Sequence, residues 1–228
     1  MDIVDIQTLV KRDGHCIFKS NFESNAQLEN FFSSMGVLSS ENNYKSVVAD
    51  ILVADMLNEQ RYLHKQSKMP MHTDSAGMIK PHDYVVLHCI KEDANGSGCS
   101  LLCFIDDIWD KLNDDSKHLE ELLSTNFLFK ARNRDSQGPI FKSILSFSDK
   151  NELNISYRRD IISYGESQKW IFDKLDKIIN EHTKSFKLQG GDTLIINNLK
   201  VLHGRSEITD RENSGRHIKR VRIFSEQR

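Results

Sequence analysis

The chain has 228 residues, 38% of them hydrophobic and 28% charged, with 31 lysines and arginines against 33 acids. That length favours one domain over residues 1–228 with a sizeable core, and only 11 glycines and 3 prolines exclude collagen-like and low-complexity classes. A formal net charge of −2 supplies no global field for nucleic acid or an anionic membrane, and no apolar run reaches the roughly 18 residues of a membrane span.

In chain order, charges from Asp2 to Asp13 interrupt any signal-peptide core. Ser24 then caps a predicted helix running to Met35, with Leu28, Phe31 and Phe32 at helical spacing. Residues 46–64 also read as helix, although Val47, Val48, Ile51, Leu52 and Val53 carry strand propensity. Asp83–Lys91 is rich in β-branched and aromatic residues and reads as a strand. The turn signal Asn95-Gly96-Ser97-Gly98 and a second apolar run, Ser100–Ile105, predict a hairpin with it. Asp106–Ser124 reads as one helix, and Ser167 caps another that carries Trp170, Ile171, Leu175, Ile178 and Ile179. Gly190-Gly191-Asp192 introduces a strand at Thr193–Ile196, a turn at Asn197-Asn198, where asparagine tolerates left-handed backbone, and the run Val201-Leu202-His203. His217–Phe224 is the last strand. Many short strands with a few helices outside them predict an α+β fold with a β-sandwich or jelly-roll core. The cysteines, Cys16, Cys89, Cys99 and Cys103, form no C-x-x-C pair, as expected of reduced thiols in a cytoplasmic protein.

His72 and Asp74 form an H-x-D motif. Pro70 disfavours helix there, and in an extended segment positions i and i+2 project to one side, so the imidazole and the carboxylate share a cavity. His118 and Glu120 have the same spacing on a predicted helix, where they diverge. Nine histidines make one H-x-D unsurprising by chance. The weight comes from the second half of the chain, where the block from Gly190 to Arg205 ends in His203-Gly204-Arg205 and Arg216 follows thirteen residues after His203. Two imidazoles and one carboxylate leave positions open on a metal, as in non-haem Fe(II) oxygenases, and arginine offers a forked cation for a carboxylate partner. Competing structural readings are a solvated pair for H-x-D, a charged edge strand for Arg216, Lys219, Arg220 and Arg222, and ordinary core or surface roles for His15, His64, His82, His88, His118, His182 and His217.

Taken together, these residues resemble the Fe(II)/2-oxoglutarate-dependent oxygenases, in the taurine dioxygenase and clavaminate-synthase-like branch. The resemblance is carried by His72-x-Asp74, the G-D-x-x-x-x-N-N-x-x-x-x-H-G-R block from Gly191 to Arg205, and Arg216-x-x-x-Arg220. It implies a distorted jelly-roll (double-stranded β-helix) core with flanking helices, and Fe(II) held by His72, Asp74 and His203. It further implies 2-oxoglutarate as cosubstrate, its far carboxylate on Arg216, with the Ser100 hydroxyl beside it where relatives carry threonine, and dioxygen as oxidant. Arg220 is implied to help hold 2-oxoglutarate or to meet an anionic group of the substrate, and Arg158 falls where relatives face the substrate. The implied reaction is hydroxylation of an unactivated C–H in a small polar metabolite, a free amino acid or related carboxylate. Because Asp74 fills the position that related halogenases leave vacant, halogenation is disfavoured. The segment from Phe129 to Ser148 is expected to contribute a lid over the substrate. Desaturation or cyclisation with the same ligands, a zinc-dependent hydrolase and a non-catalytic jelly-roll binding module stay open as alternatives. No nucleic-acid or membrane partner is expected, and no pattern sets an oligomeric state.

Overall fold

The computed structural model describes residues 2–40, 46–52, 67–130 and 138–225. Asp2 caps α1 (Ile3–Asp13) by accepting the Asp5 N–H at 2.9 Å, and Gly14 in left-handed backbone leads into β1 (His15–Lys19). Ser24 caps α2 (Asn25–Phe32) as expected, and β2 (Val37–Leu38), β3 (Ala49–Leu52), β4 (Met69–His72), β5 (Tyr84–Lys91) and β6 (Ser100–Phe104) follow. Next come α3 (Ile105–Asn113) and α4 (Ser116–Ser124), then β7 (Phe127–Phe129), β8 (Ile140–Lys142), β9 (Leu145–Phe147), β10 (Leu153–Ile155) and β11 (Ile162–Ser163). Finally, α5 (Lys169–Glu181) leads to β12 (Lys184–Phe186), β13 (Asp192–Asn197), β14 (Val201–Arg205), the single turn α6 (Arg211–Ser214) and β15 (His217–Phe224).

The strands are antiparallel throughout their recorded pairings. One sheet runs β1-β13-β5-β15-β2 with β3 also on β15, and a second runs β12-β6-β14-β4. Side chains alternate between the two faces of each strand, and the burial follows that period. Ile51, Cys89, Leu194, Ile196 and Ile218 from the larger sheet meet Leu102 and Val201 from the smaller one in a shared buried cluster. The outer face of the larger sheet, through Phe18, Val86, Ile195, Val221 and Ile223, takes Ile6, Val10, Leu28 and Phe32 of α1 and α2. The outer face of the smaller sheet, through Met71, Leu101, Cys103 and Leu202, packs with α3, α4 and α5 and the β7–β11 ribbons. The result is two facing antiparallel sheets with helices on both outer surfaces, a mixed α and β architecture.

Three sequence expectations are corrected. Residues 49–52, expected in a helix, form β3: Ile51 faces the core while Asp50 meets His217 and Lys219 across the strand pair at 2.6 and 3.3 Å. Cross-strand pairing decided what β-branched propensity had left open; residues 53–64 of that expected helix lie outside the described residues. The expected hairpin is instead a crossing between sheets. β5 pairs with β13 and β15, β6 with β12 and β14, and the turn signal between them, with Gly96 and Gly98 at φ 71° and 65°, serves as the corner. The single helix expected over 106–124 breaks at Asp115, whose carboxylate accepts the His118 N–H and starts α4. Within the expected lid, 140–142 and 145–147 are strands, and 131–137 lie outside the described residues.

Candidate metal and cosubstrate site

The inward face between the sheets is where the chemistry collects. On β14, Val201 points into the shared core, so His203, two residues on, points the same way. His72 ends β4 directly opposite His203 in register, and the two rings lie 4.4 Å apart between centroids. Gly204 permits this approach. The register shifts there, and a Cβ on residue 204 would sit 2.7 Å from the Met69 carbonyl oxygen and 2.9 Å from the Met71 sulfur.

Asp74 completes the cluster. Candidate ligand atoms of His72, Asp74 and His203 all lie within 4.8 Å of one another, and all three residues are buried. Asp74 Oδ1 is 3.5 Å from His72 Nε2 and 3.9 Å from His203 Nε2. His72 Nδ1 lies 3.0 Å from the Pro70 carbonyl, which can only accept, so the ring proton sits on Nδ1 and the Nε2 lone pair faces Asp74. That nitrogen is buried without a hydrogen-bond partner among the described residues. An orphaned imidazole lone pair beside a carboxylate in a dry interior is costly unless a cation takes it, and this N/N/O set suits Fe(II). Burial, followed by the neighbouring His72, pushes His203 down to about 3, which keeps it neutral and able to ligate. Burial opposes charge on Asp74, but Arg220 foremost, then His72 and His203, outweigh it and hold the carboxyl well below the usual range.

The backbone around Asp74 is fixed by a residue whose function the sequence did not disclose. Asn198, fully buried, accepts the Asp74 N–H at 2.7 Å and donates to the carbonyls of Asp74 and His82 at 2.9 and 2.8 Å. The Asn197-Asn198 turn thus acts through this side-chain clamp; neither asparagine has the positive φ expected from the sequence. The N–H of Thr73 donates to the Tyr157 carbonyl, and the Tyr157 N–H donates to the Thr73 hydroxyl, at 2.8 and 3.1 Å. That pairing brings Arg158 beside the H-x-D loop.

Arg216 precedes β15 and is 8% exposed. It lines a small cavity with Ser100, Gly98, Cys89 and Cys99, so the structure brings together the arginine and hydroxyl named from sequence. Gly98, at φ 65°, is tight against this arginine: a Cβ there would lie 3.1 Å from Arg216 Cδ. Arg205, of the H-G-R motif, is also buried and donates to the carbonyls of Ser67 and Ser206 at 2.9 and 2.8 Å. Arg220 is on β15 with Nη1 3.2 Å from Asp74 Oδ2. Arg158, paired with Asp160 at 2.9 Å, lines a second cavity of about 480 Å³ together with His72, Met71, Arg159 and Asp176.

The other histidines are placed as structural residues. His118 and His88 are buried, bonded to the Ile171 carbonyl at 2.8 Å and the Thr193 hydroxyl at 2.8 Å. His82 bonds Ser75 and packs on Phe224, His15 packs on Phe104 and Phe186, His182 meets the Ile178 carbonyl, and His217 meets Asp50. His64 lies outside the described residues. None of the four cysteines forms a disulfide, and Cys16, Cys89 and Cys103 are buried. Trp109 packs against the core, whereas Trp170 is 37% exposed beside Lys117.

A two-sheet core with a buried His-x-Asp…His cluster and an inward arginine defines an oxygenase-like architecture, and the comparisons agree. The family model "Taurine catabolism dioxygenase TauD, TfdA family" matches residues 2–222, and the chain belongs to this family. A glutarate 2-hydroxylase of Citrobacter koseri is 23% identical over 212 residues, 90% of this chain and 65% of that protein, so the chain spans less than two thirds of that relative. Among solved structures, an asparagine oxygenase in complex with Fe(II), 2S,3S-3-hydroxyasparagine and succinate superposes with a TM-score of 0.83 at 15% identity, covering 97% of this chain and 78% of that one. The non-haem iron oxygenase OrfP, in complex with Fe and alpha-ketoglutaric acid, gives 0.79 at 15% identity, covering 98% and 78%. At these identities the structural likeness establishes the fold.

Proposed function

We propose that the chain is an Fe(II)/2-oxoglutarate-dependent dioxygenase with a jelly-roll core, formed as one domain over residues 1–228. We propose further that it hydroxylates a C–H of a small polar metabolite, a free amino acid or related carboxylate. The observation that carries this reading is the convergence of candidate ligand atoms of His72, Asp74 and His203 to within 4.8 Å of one another, with all three residues buried. Family membership supports the reaction class. Relatives named for hydroxylating glutarate, or solved with hydroxyasparagine and hydroxy-arginine, support the substrate class.

His72, Asp74 and His203 would hold Fe(II), which would supply activation of dioxygen coupled to oxidative decarboxylation of 2-oxoglutarate to succinate. The remaining work belongs to the chain. The His72 Nδ1–H bond to the Pro70 carbonyl keeps its Nε2 aimed inward. Arg216, whose guanidinium never loses its charge, binds the far carboxylate of 2-oxoglutarate bidentately, and Ser100 adds a hydroxyl donor in the same cavity. Arg158 faces the larger cavity beside His72 and meets a substrate carboxylate there, orienting the C–H to be attacked. Mostly buried cysteines outside any disulfide support a reducing, cytoplasmic setting.

Succinate formation tests the reading: purified enzyme with Fe(II), dioxygen and 2-oxoglutarate is screened against amino acids and short dicarboxylates. Substrate-dependent succinate is expected for at least one of them. Turnover that needs a metal but neither dioxygen nor 2-oxoglutarate would indicate a hydrolase instead. Arg216→Ala is expected to raise the 2-oxoglutarate requirement at least tenfold while keeping metal affinity, since a charged hydrogen bond is worth about 1.5–3 kcal/mol.

A further inference from the structure

The two oxygens of the Asp74 carboxylate face different partners. Oδ1 is the atom 3.5 Å from His72 Nε2 and 3.9 Å from His203 Nε2, whereas Oδ2 lies 3.2 Å from Arg220 Nη1. Asp74 and Arg220 are both buried, at 4% and 6% exposure, so water screens this contact little. Alternation along β15 puts Ile218 in the inter-sheet core and Arg220 on the same inward face. The described lining of the cavity around Arg216 and Ser100 does not include Arg220. Two arginines four residues apart therefore serve different places, their backbones separated by about 13 Å at the usual strand rise.

We infer that Arg220 is a positioning residue for the metal: by holding Asp74 Oδ2 it makes the carboxylate present Oδ1 alone to the ion. This rests on the proposed metal reading of His72, Asp74 and His203. The terminal torsion of aspartate is soft, so an untethered carboxylate can rotate or offer both oxygens. A second oxygen would take one of the positions that the three-residue ligand set leaves open for cosubstrate and dioxygen. Arg220 and Asn198 close off that freedom from two directions, the first at the carboxylate and the second at the peptide groups of the same residue. Removal of Arg220 also takes from the buried Asp74 charge the arginine 3.2 Å from it.

The test uses anaerobic titration of the full chain with Mn(II) and Co(II), with no turnover required. R220M is expected to raise the Mn(II) dissociation constant about 10- to 100-fold, the usual cost of losing an outer-sphere partner. It is also expected to alter the visible d–d spectrum of bound Co(II), which reports coordination number, and R220K is expected to recover part of both. With Mn(II) saturating, 2-oxoglutarate affinity in R220M should stay within about threefold of wild type. If R220M yields no folded protein, R220K alone decides: a several-fold loss of Mn(II) affinity is expected, and an unchanged value overturns the inference. Wild-type Mn(II) affinity and Co(II) spectrum in R220M also overturn it, leaving the metal reading intact. So does weakened 2-oxoglutarate binding with metal affinity unchanged, which assigns Arg220 to the cosubstrate. Wild-type protein that binds neither metal overturns the metal reading and the inference together.

Discussion

Asn198 shows what a single side chain contributes to this site. Its amide satisfies the N–H and C=O of Asp74 and the C=O of His82, and water cannot replace those bonds at a fully buried position. Each stranded buried group costs about 1–3 kcal/mol, so Asn198→Ala is expected to lose about 3 kcal/mol or more in urea unfolding and to weaken metal binding as well. A loss below about 1 kcal/mol would show that the clamp is dispensable. The proximity of the proposed ligands His72 and Asp74 was readable in the sequence because a carboxylate two residues from a histidine, in a segment kept extended by Pro70, has one geometric consequence. Asn198 was not readable in that way. Its partners lie 116 and 124 residues away, and a polar turn residue before a strand has an adequate local explanation without them.

Among the elements, the β4–β14 pair matters most, because it sets His72 against His203. Gly204 lies tight against β4, and an added methyl would press on the Met69 carbonyl at 2.7 Å. Gly204→Ala is expected to destabilise the protein by about 1–3 kcal/mol, as overpacking does, and to weaken metal binding by moving one imidazole from the other. Gly165→Ala, where a Cβ meets nothing nearer than 3.9 Å, serves as the comparison and should change neither. Equal behaviour of the two variants would contradict the close-approach argument. Elements with a local cause were legible: the caps at Ser24 and Asp115 obey short-range rules, although the second was read through as helix. Elements whose identity is decided by a distant partner were not. β3 exists because β15 offers Asp50 the His217 imidazole and the Lys219 ammonium, and Ile51 a place in the core, and β5 and β6 separate because each finds other partners in a different sheet.

For the whole molecule, the buried histidines with lowered pKa values and Asp74 push stability in one direction. His203, held at about 3 against an ordinary 6.5, and His88 and His118, both lowered by burial, take up protons more readily when unfolded. Stability should therefore fall as pH drops below about 6.5. Asp74, depressed well below its ordinary 3.8, contributes stability that is present above that value and lost as pH falls through the folded-state value, which has the same sign. The metal-free protein is expected to show a steadily falling melting temperature from pH 7 to pH 4, with a shallower slope in His203→Gln. A flat profile over that range would count against buried neutral imidazoles. The mixed class with many strands was legible because strand-length apolar runs outnumber helices, whereas the allocation of strands to sheets required coordinates.

The central claim is that His72, Asp74 and His203 take one ferrous ion together with 2-oxoglutarate, and an anaerobic optical titration tests it most directly. Adding Fe(II) to protein and 2-oxoglutarate should produce a weak visible metal-to-ligand charge-transfer band that saturates at one iron per chain and is missing in His72→Ala. A folded wild-type sample that develops no such band, or a His72→Ala sample that develops it undiminished, would contradict the account.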